Sequence, residues 1–163
     1  MTERCQPHAA NVAKSDLGSF PQAGVAIIFA AIGGIGGALV GAIQATERFE
    51  HVVAFSRSTS PLRDLLDEAS LERAGAFAAT RGELRLLIDA TGFLHDDRQG
   101  PERSWRQLVA VNLARSFALN AIGPALIMKH LLPRLPRSGK AVLATLSARV
   151  GSIGDNRLAG WYS

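Results

Sequence analysis

A single cysteine, Cys5, excludes an internal disulfide and any zinc site built from several thiolates, and it fits a reducing compartment. The histidines His8, His51, His95 and His130 share no spacing suited to a metal or to a Ser-His-Asp triad. His95-Asp96-Asp97 reads as a solvated run in a loop rather than a metal clutch. Lysine and arginine outnumber aspartate and glutamate by 18 to 14, yet no block of five or six like charges occurs and no basic stripe is interleaved with aromatics. Nucleic acid is therefore not an expected partner. Long uncharged runs are also scarce. The one candidate, Val25 to Ile43, approaches the roughly 20 residues of a membrane span, but Gly33, Gly34, Gly36 and Gly37 interrupt it and no Trp or Tyr anchors flank it. Mixed polar residues precede it without a basic start or a small-residue cleavage site, which argues against a signal peptide. The expectation is a cytoplasmic protein with no membrane partner.

What is present suffices for one domain. With 163 residues, 47% of them hydrophobic and 20% charged, the chain should bury roughly 70% of the surface it exposes when unfolded, with no need of a staple. Residues 1–23 are polar, with Pro7, Gly18 and Pro21 as breakers, and read as a poorly ordered leader before a domain over 24–163. Val25 to Phe29 reads as a buried strand, the glycines as a tight turn, and Ala38 to Ala45 as a helix. Val52 to Phe55 is a second strand, and Leu62 to Leu65 could supply a short third. Asp67 caps a helix through Leu71, Ala74 and Phe77 to about Thr80. Leu84 to Ala90 is another buried strand. A long helical region follows, with Trp105, Leu108 and Val109 on one face and Leu113, Phe117, Ile122, Leu126 and Leu131 continuing the pattern. Ala141 to Leu146 is a further strand before a Gly- and Ser-rich loop. Strands alternating with helices imply a parallel sheet covered on both faces, the doubly wound α/β arrangement that places ligands at the carboxyl ends of its strands.

The glycine cluster carries the first chemical signal. A strand running into a Gly-rich turn at a helix N-terminus offers backbone N–H groups and the positive end of the helix dipole to a phosphate. The alternative is that the glycines serve close helix–strand packing.

Ala30-Ala31-Ile32-Gly33-Gly34-Ile35-Gly36 resembles the Gly-x-x-x-Gly-x-Gly cofactor turn of the short-chain dehydrogenase/reductase family. Gly34 and Gly36 stand at its last two glycines, with Gly33 and Ile35 beside them. Ala30 replaces the first, adding a methyl where backbone and pyrophosphate come closest. The resemblance runs from Gly24 to Ser163 and implies a doubly wound (Rossmann) parallel sheet that is incomplete at its C-terminal edge. Asp64-Leu65-Leu66-Asp67 is similar to the family's Asp-bearing segment, which implies that Asp64 accepts a hydrogen bond from the adenine amino group and that Leu65 packs beside the ring; an ordinary helix-start aspartate is the alternative. Ile88-Asp89-Ala90-Thr91-Gly92 is similar to the family's Asn-Asn-Ala-Gly segment with both asparagines replaced. Gly92 fits close passage of the ribose, and Asp89 reads as structural. Arg57 stands where this fold decides between cofactors. No carboxylate is there to bind a ribose 2′-hydroxyl, and Ser56-Arg57-Ser58 suits a 2′-phosphate, so NADP is expected before NAD; a solvated surface arginine is the alternative.

Asn120-Ala121-Ile122-Gly123-Pro124 resembles the long-helix segment that carries the family's structural and catalytic asparagine, with Asn120 the match and Asn112 a near miss; a helix-interior asparagine bonding to backbone is the alternative. Leu146-Ser147-Ala148-Arg149-Val150-Gly151-Ser152 resembles the serine-bearing end of the fifth family strand. The stricter register puts Ala148 at the serine position and leaves Ser147 as the hydroxyl candidate. The segment from Gly154 to Tyr162 is similar to the C-factor-like subfamily. The family's Tyr-x-x-x-Lys pair, whose lysine lowers the tyrosine pKa for proton exchange with the carbonyl, is absent. Tyr162 is the only tyrosine and no lysine follows it. The resemblance thus implies a chain truncated before that pair, with exposed apolar surface and normal dimerisation through the long helix around Asn120 in doubt. Three readings stand: an NADP-linked oxidoreductase acting on a small carbonyl or alcohol and impaired by truncation, a non-catalytic dinucleotide-binding or interaction module, and a fragment that does not fold stably.

Overall fold

The computed structural model describes residues 17–59, 64–97, 100–148, 151–152 and 154. Val25–Phe29 (β1) is an unbroken apolar run, and every residue in it is buried. Such a run belongs to a strand covered on both faces. β1 pairs in parallel with His51–Phe55 (β2) on one side and with Leu84–Asp89 (β3) on the other, and Val142–Thr145 (β4) continues the sheet beyond β3. The strand order is β2-β1-β3-β4. The chain leaves β1 towards β2 and returns to the opposite side of β1 for β3, so the connections part at the carboxyl ends of β1 and β3. An open parallel sheet has its crevice at that switch point.

Helices cover both faces. Val40 and Ile43 of Gly34–Gln44 (α1) pack with Phe20, Ala26, Ile28, Phe49 and Leu86. Leu71, Ala74 and Ala78 of Glu68–Ala79 (α2) and Ile127 and Leu131 of Gly123–Leu131 (α4) pack with Val25, Ile27, Phe29, Phe55 and Leu87. Each large apolar side chain so buried contributes about 1.5–3 kcal/mol. α2 begins as its sequence indicates: the Asp67 carboxylate accepts the N–H of Ala69 at 3.0 Å, and Glu68 adds negative charge in the first turn.

The sheet carries one irregularity. Val25 pairs with Leu84 but Ala26 pairs with Leu86, which leaves Arg85 as the extra residue of a bulge. The shift puts Leu84 and Leu87 on the same face despite their odd spacing. Arg85 is buried, and its guanidinium donates to the carbonyl of Ser138 at 2.7 Å and pairs with Glu83, tying the start of β3 to the turn before β4. Gly24 and Gly139 press against it, both at positive φ.

Of the segment expected as a leader, residues 1–16 lie outside the described residues, and 17–23 pack on the domain. Phe20 is buried edge-on to Phe49, and Arg48 donates to the carbonyls of Gly18 and Phe20. The short strand expected over Leu62 to Leu65 falls partly outside the described residues, and Asp64 and Leu65 are not in a strand.

The long helical region differs most from its sequence pattern. Trp105–Gln107 forms only a 3-10 turn, and Leu108 and Val109 are extended, so the three residues expected on one helical face do not share a helix. Ala110–Phe117 (α3) then runs into a π-helical segment, Ala118–Ile122, before α4. The extra residue per turn rotates the face that follows. Phe117 and Ile122, two members of the expected helical pattern, are exposed, while Ile127 and Leu131 are buried. By length and composition the stretch Ala110–Arg134 is apolar enough to cross a membrane. Here its inner side belongs to the core, and Lys129 and His130 reach Glu68 on α2.

Candidate functional site

A cleft of about 600 Å³ opens at the switch point. Ala30, Gly33, Gly34, Ile35 and Gly36 from the turn after β1 line it, together with Ala90, Thr91 and Gly92 after β3, Asn120 from the π segment, and Leu146, Ser147, Ala148 and Gly151 after β4. Eight of the residues singled out in the sequence, Ala30, Gly33, Gly34, Ile35, Gly36, Gly92, Asn120 and Ser147, thus meet in one place.

The turn after β1 is tightly built. Ala31 donates its N–H to the carbonyl of Phe55 at 3.0 Å, fastening the turn to the end of β2, and Gly33 donates to Ala30 at 3.0 Å. A Cβ on Gly36 would stand 2.2 Å from the Ala30 oxygen, so this glycine is sterically required. A Cβ on Gly34, which lines the cleft, would meet nothing within 4 Å among the described residues. Ala30 itself adopts φ 60°, a left-handed conformation that favours glycine. α1 then starts at Gly34 with no side chain capping it among the described residues and no acidic residue in its first turn, which leaves its early N–H groups and positive dipole end for a ligand.

Asn120 clamps the opposite side. Its carboxamide oxygen accepts the N–H of Phe93 and its Nδ2 donates to the carbonyl of Phe93, each at 2.7 Å. Arg115 lies over the Phe93 ring, 4.4 Å from its centroid, and donates to Asp96 at 2.5 Å. The loop after Gly92 is therefore held from α3 and the π segment together. Thr91, missed by motif reading, also lines the cleft. Its N–H and its hydroxyl both donate to Asp89 Oδ1, at 2.9 and 2.6 Å. Asp89 is fully buried, and its second oxygen has no hydrogen-bond partner among the described residues. Ser147 and Ala148 both line the cleft, and Ser147 is the one of the two with a hydroxyl.

Three singled-out residues stand apart from the cleft lining. Arg57 is exposed on the turn after β2, which is closed by the Ser56 N–H donating to Thr59 Oγ1 at 2.7 Å and by a 3.0 Å contact between the Ser56 and Ser58 hydroxyls. Asp64 is exposed and accepts the N–H of Leu66 at 2.9 Å, a local turn leading towards α2. Leu65 is half-buried against the core beside Gly123.

No family model matches the chain, and no curated protein matches it by sequence. Solved structures do match in fold. An NADPH-bound carbonyl reductase from chicken fatty liver superposes with a TM-score of 0.70 at 21% identity, over 89% of this chain and 64% of its own. An aldohexose dehydrogenase from Thermoplasma acidophilum gives 0.66 at 17% identity, over 81% and 52%. A mutant short-chain dehydrogenase/reductase from Serratia marcescens gives 0.58 at 21% identity, over 75% and 56%. The chain thus spans less than two thirds of the length of each of these proteins. What it shares with them is the fold, the doubly wound Rossmann sheet on which short-chain dehydrogenases and carbonyl reductases are built.

Proposed function

We propose that the cleft binds a nicotinamide dinucleotide, NADP before NAD, and that it is the cofactor site of a short-chain-type oxidoreductase moving hydride between the nicotinamide and a small carbonyl or alcohol. The observation that carries the proposal is convergence. A glycine turn at an uncapped helix N-terminus, the loop after Gly92, Asn120 and Ser147 all line one crevice at the switch point of a parallel sheet. The residues fit the cofactor: the space over Gly34 admits a pyrophosphate against the first turn of α1, and Gly92 leaves room for a ribose. The nicotinamide, when bound, supplies the hydride chemistry. Ser147 would then polarise the substrate oxygen, and Asn120 keeps the cleft wall in place through Phe93.

Preference for NADP rests on Arg57. It follows β2 on a turn fastened to the glycine turn through Ala31 and Phe55, and its guanidinium and the neighbouring serine hydroxyls suit a 2′-phosphate. Asp64 and Leu65 would serve the adenine from the segment before α2. The exposed apolar residues Val111, Phe117, Ile122, Met128 and Leu132 support assembly with a second copy or a relative through this helical stretch.

Within these 163 residues the only tyrosine is Tyr162, and no lysine stands four positions beyond it. A second reading is a module that binds the dinucleotide without turning over substrate. Titration of the purified chain with NADPH and NADH, followed by thermal shift, tests the shared core of both readings. A saturable rise in melting temperature, larger for NADPH, supports them, and a well-folded chain unmoved by either nucleotide refutes them. Oxidation of NADPH with a panel of small carbonyls then separates enzyme from module.

A further inference from the structure

Residues 101–111 carry an inverted burial pattern. Glu102 is 3% exposed, and neither of its carboxyl oxygens has a hydrogen-bond partner among the described residues. A carboxyl group so placed is worse off than in water, with or without its proton. Trp105, Leu108, Val109 and Val111, which would gain from burial, are exposed. The bonds that shape the turn are local: the N–H of Arg103 donates to Gln107 Oε1 at 2.9 Å, and the N–H of Arg106 donates to Ser104 Oγ at 3.3 Å. α3 follows with no side-chain cap at its start among the described residues, and Ser116 is its one buried residue. From Glu102 to Phe117 little apolar burial resists opening, and the release of Glu102 to water favours it.

α3 nonetheless holds part of the cleft wall. Arg115 lies over the Phe93 ring and donates to Asp96, and both of these belong to the loop that continues from Gly92. That loop has a second hold of a different kind. Asn120 grips the Phe93 backbone in both directions from the π segment, which runs directly into the buried Gly123 and Pro124 of α4. We propose that residues 102–117 form a gate beside the cleft, which swings away as a unit when Glu102 leaves its buried site. The Arg115 clamp on Phe93 and Asp96 opens with it, while Asn120 keeps the Phe93 backbone as a fixed pivot. Opening frees the loop edge next to Gly92 for passage of a ligand, and the floor of the cleft at β1 and β3 stays closed. The gate is a property of the chain itself and does not depend on which ligand fills the cleft.

The test is native-state amide hydrogen exchange of the ligand-free chain, comparing wild type, Glu102→Leu and Asp96→Ala. Leucine fills the Glu102 site without a polar atom, and Asp96→Ala removes one loop-side partner of Arg115. In wild type the amides of residues 113–117 should open at least about tenfold more often than those of β1 and than the Phe93 amide that Asn120 holds. Glu102→Leu should slow residues 113–117 by about tenfold or more. Asp96→Ala should speed them about threefold, because a loop held by α3 also holds α3. Residues 113–117 opening only together with β1, or unchanged by Glu102→Leu, would overturn the gate; no response to Asp96→Ala would overturn its hold on the loop. Should Glu102→Leu not fold, wild type and Asp96→Ala decide by the same two criteria.

Discussion

Single residues in the turn after β1 set both the stability of the fold and access to the cleft. Ala30 is held at φ 60°, a conformation that costs an L-residue roughly 1–2 kcal/mol. Ala30→Gly should relieve that strain and raise stability by about 0.5–1 kcal/mol, after allowance for the greater freedom of an unfolded glycine, and should tighten NADPH by removing a methyl from the cleft. Urea unfolding and titration check the two parts. Gly36 and Gly34 separate folding from binding. Gly36→Ala drives a Cβ into the Ala30 carbonyl and should lower the melting temperature sharply, whereas Gly34→Ala meets no protein atom and should leave the melt unchanged while weakening the dinucleotide. The glycines could be read from the sequence because their spacing is tied to one backbone shape. Thr91 could not: a threonine after a strand has no pattern of its own, and its hydrogen bonds go to the carboxylate two residues before it.

Among the elements, strands were the most legible. The inner strands β1 and β3 coincide with apolar runs because a strand buried on both faces needs a continuous one, the half-buried edge strands β2 and β4 carry shorter ones, and Asp67 marked the start of α2 because its side chain caps it. The helical region was misread because periodicity assumes a constant turn. The π segment Ala118–Ile122 breaks that assumption, and Ile122 within it is exposed, as is Phe117 at the end of α3. It also carries Asn120 beside Phe93. Asn120→Asp loses the donor to the Phe93 carbonyl and should cost about 1 kcal/mol, with faster amide exchange through residues 93–97 and weaker NADPH binding. Between α2 and α4, hydrogen bonds from Lys129 and then His130 hold the Glu68 carboxyl below its ordinary value of 4.5. A carboxyl lowered in the folded state contributes stability above its unfolded pKa and loses it as pH falls through the folded one. Stability should therefore decline on acidification below about pH 4.5 more steeply in wild type than in Glu68→Gln, as seen in melts across that range. An identical acid limb in both proteins would remove Glu68 from the account.

For the whole molecule, the sheet order β2-β1-β3-β4 matters most, since it brings segments more than a hundred residues apart, the glycine turn and Ser147, to one crevice. Alternating strands and helices implied that architecture, and the solved structures share it. Assembly belongs to the same scale. If the exposed apolar side of α3 and α4 joins copies, Phe117→Glu should shift the sedimenting mass towards monomer without lowering the melting temperature by more than a few degrees. The central claim is the location of the dinucleotide, and amide hydrogen exchange with and without saturating NADPH tests it most directly. The account predicts slowed exchange at residues 32–37, at Thr91 to Phe93 and at Ser147, with little change at the far end of the sheet around Gly82 and Glu83. NADPH that binds and protects only residues away from the crevice would contradict it.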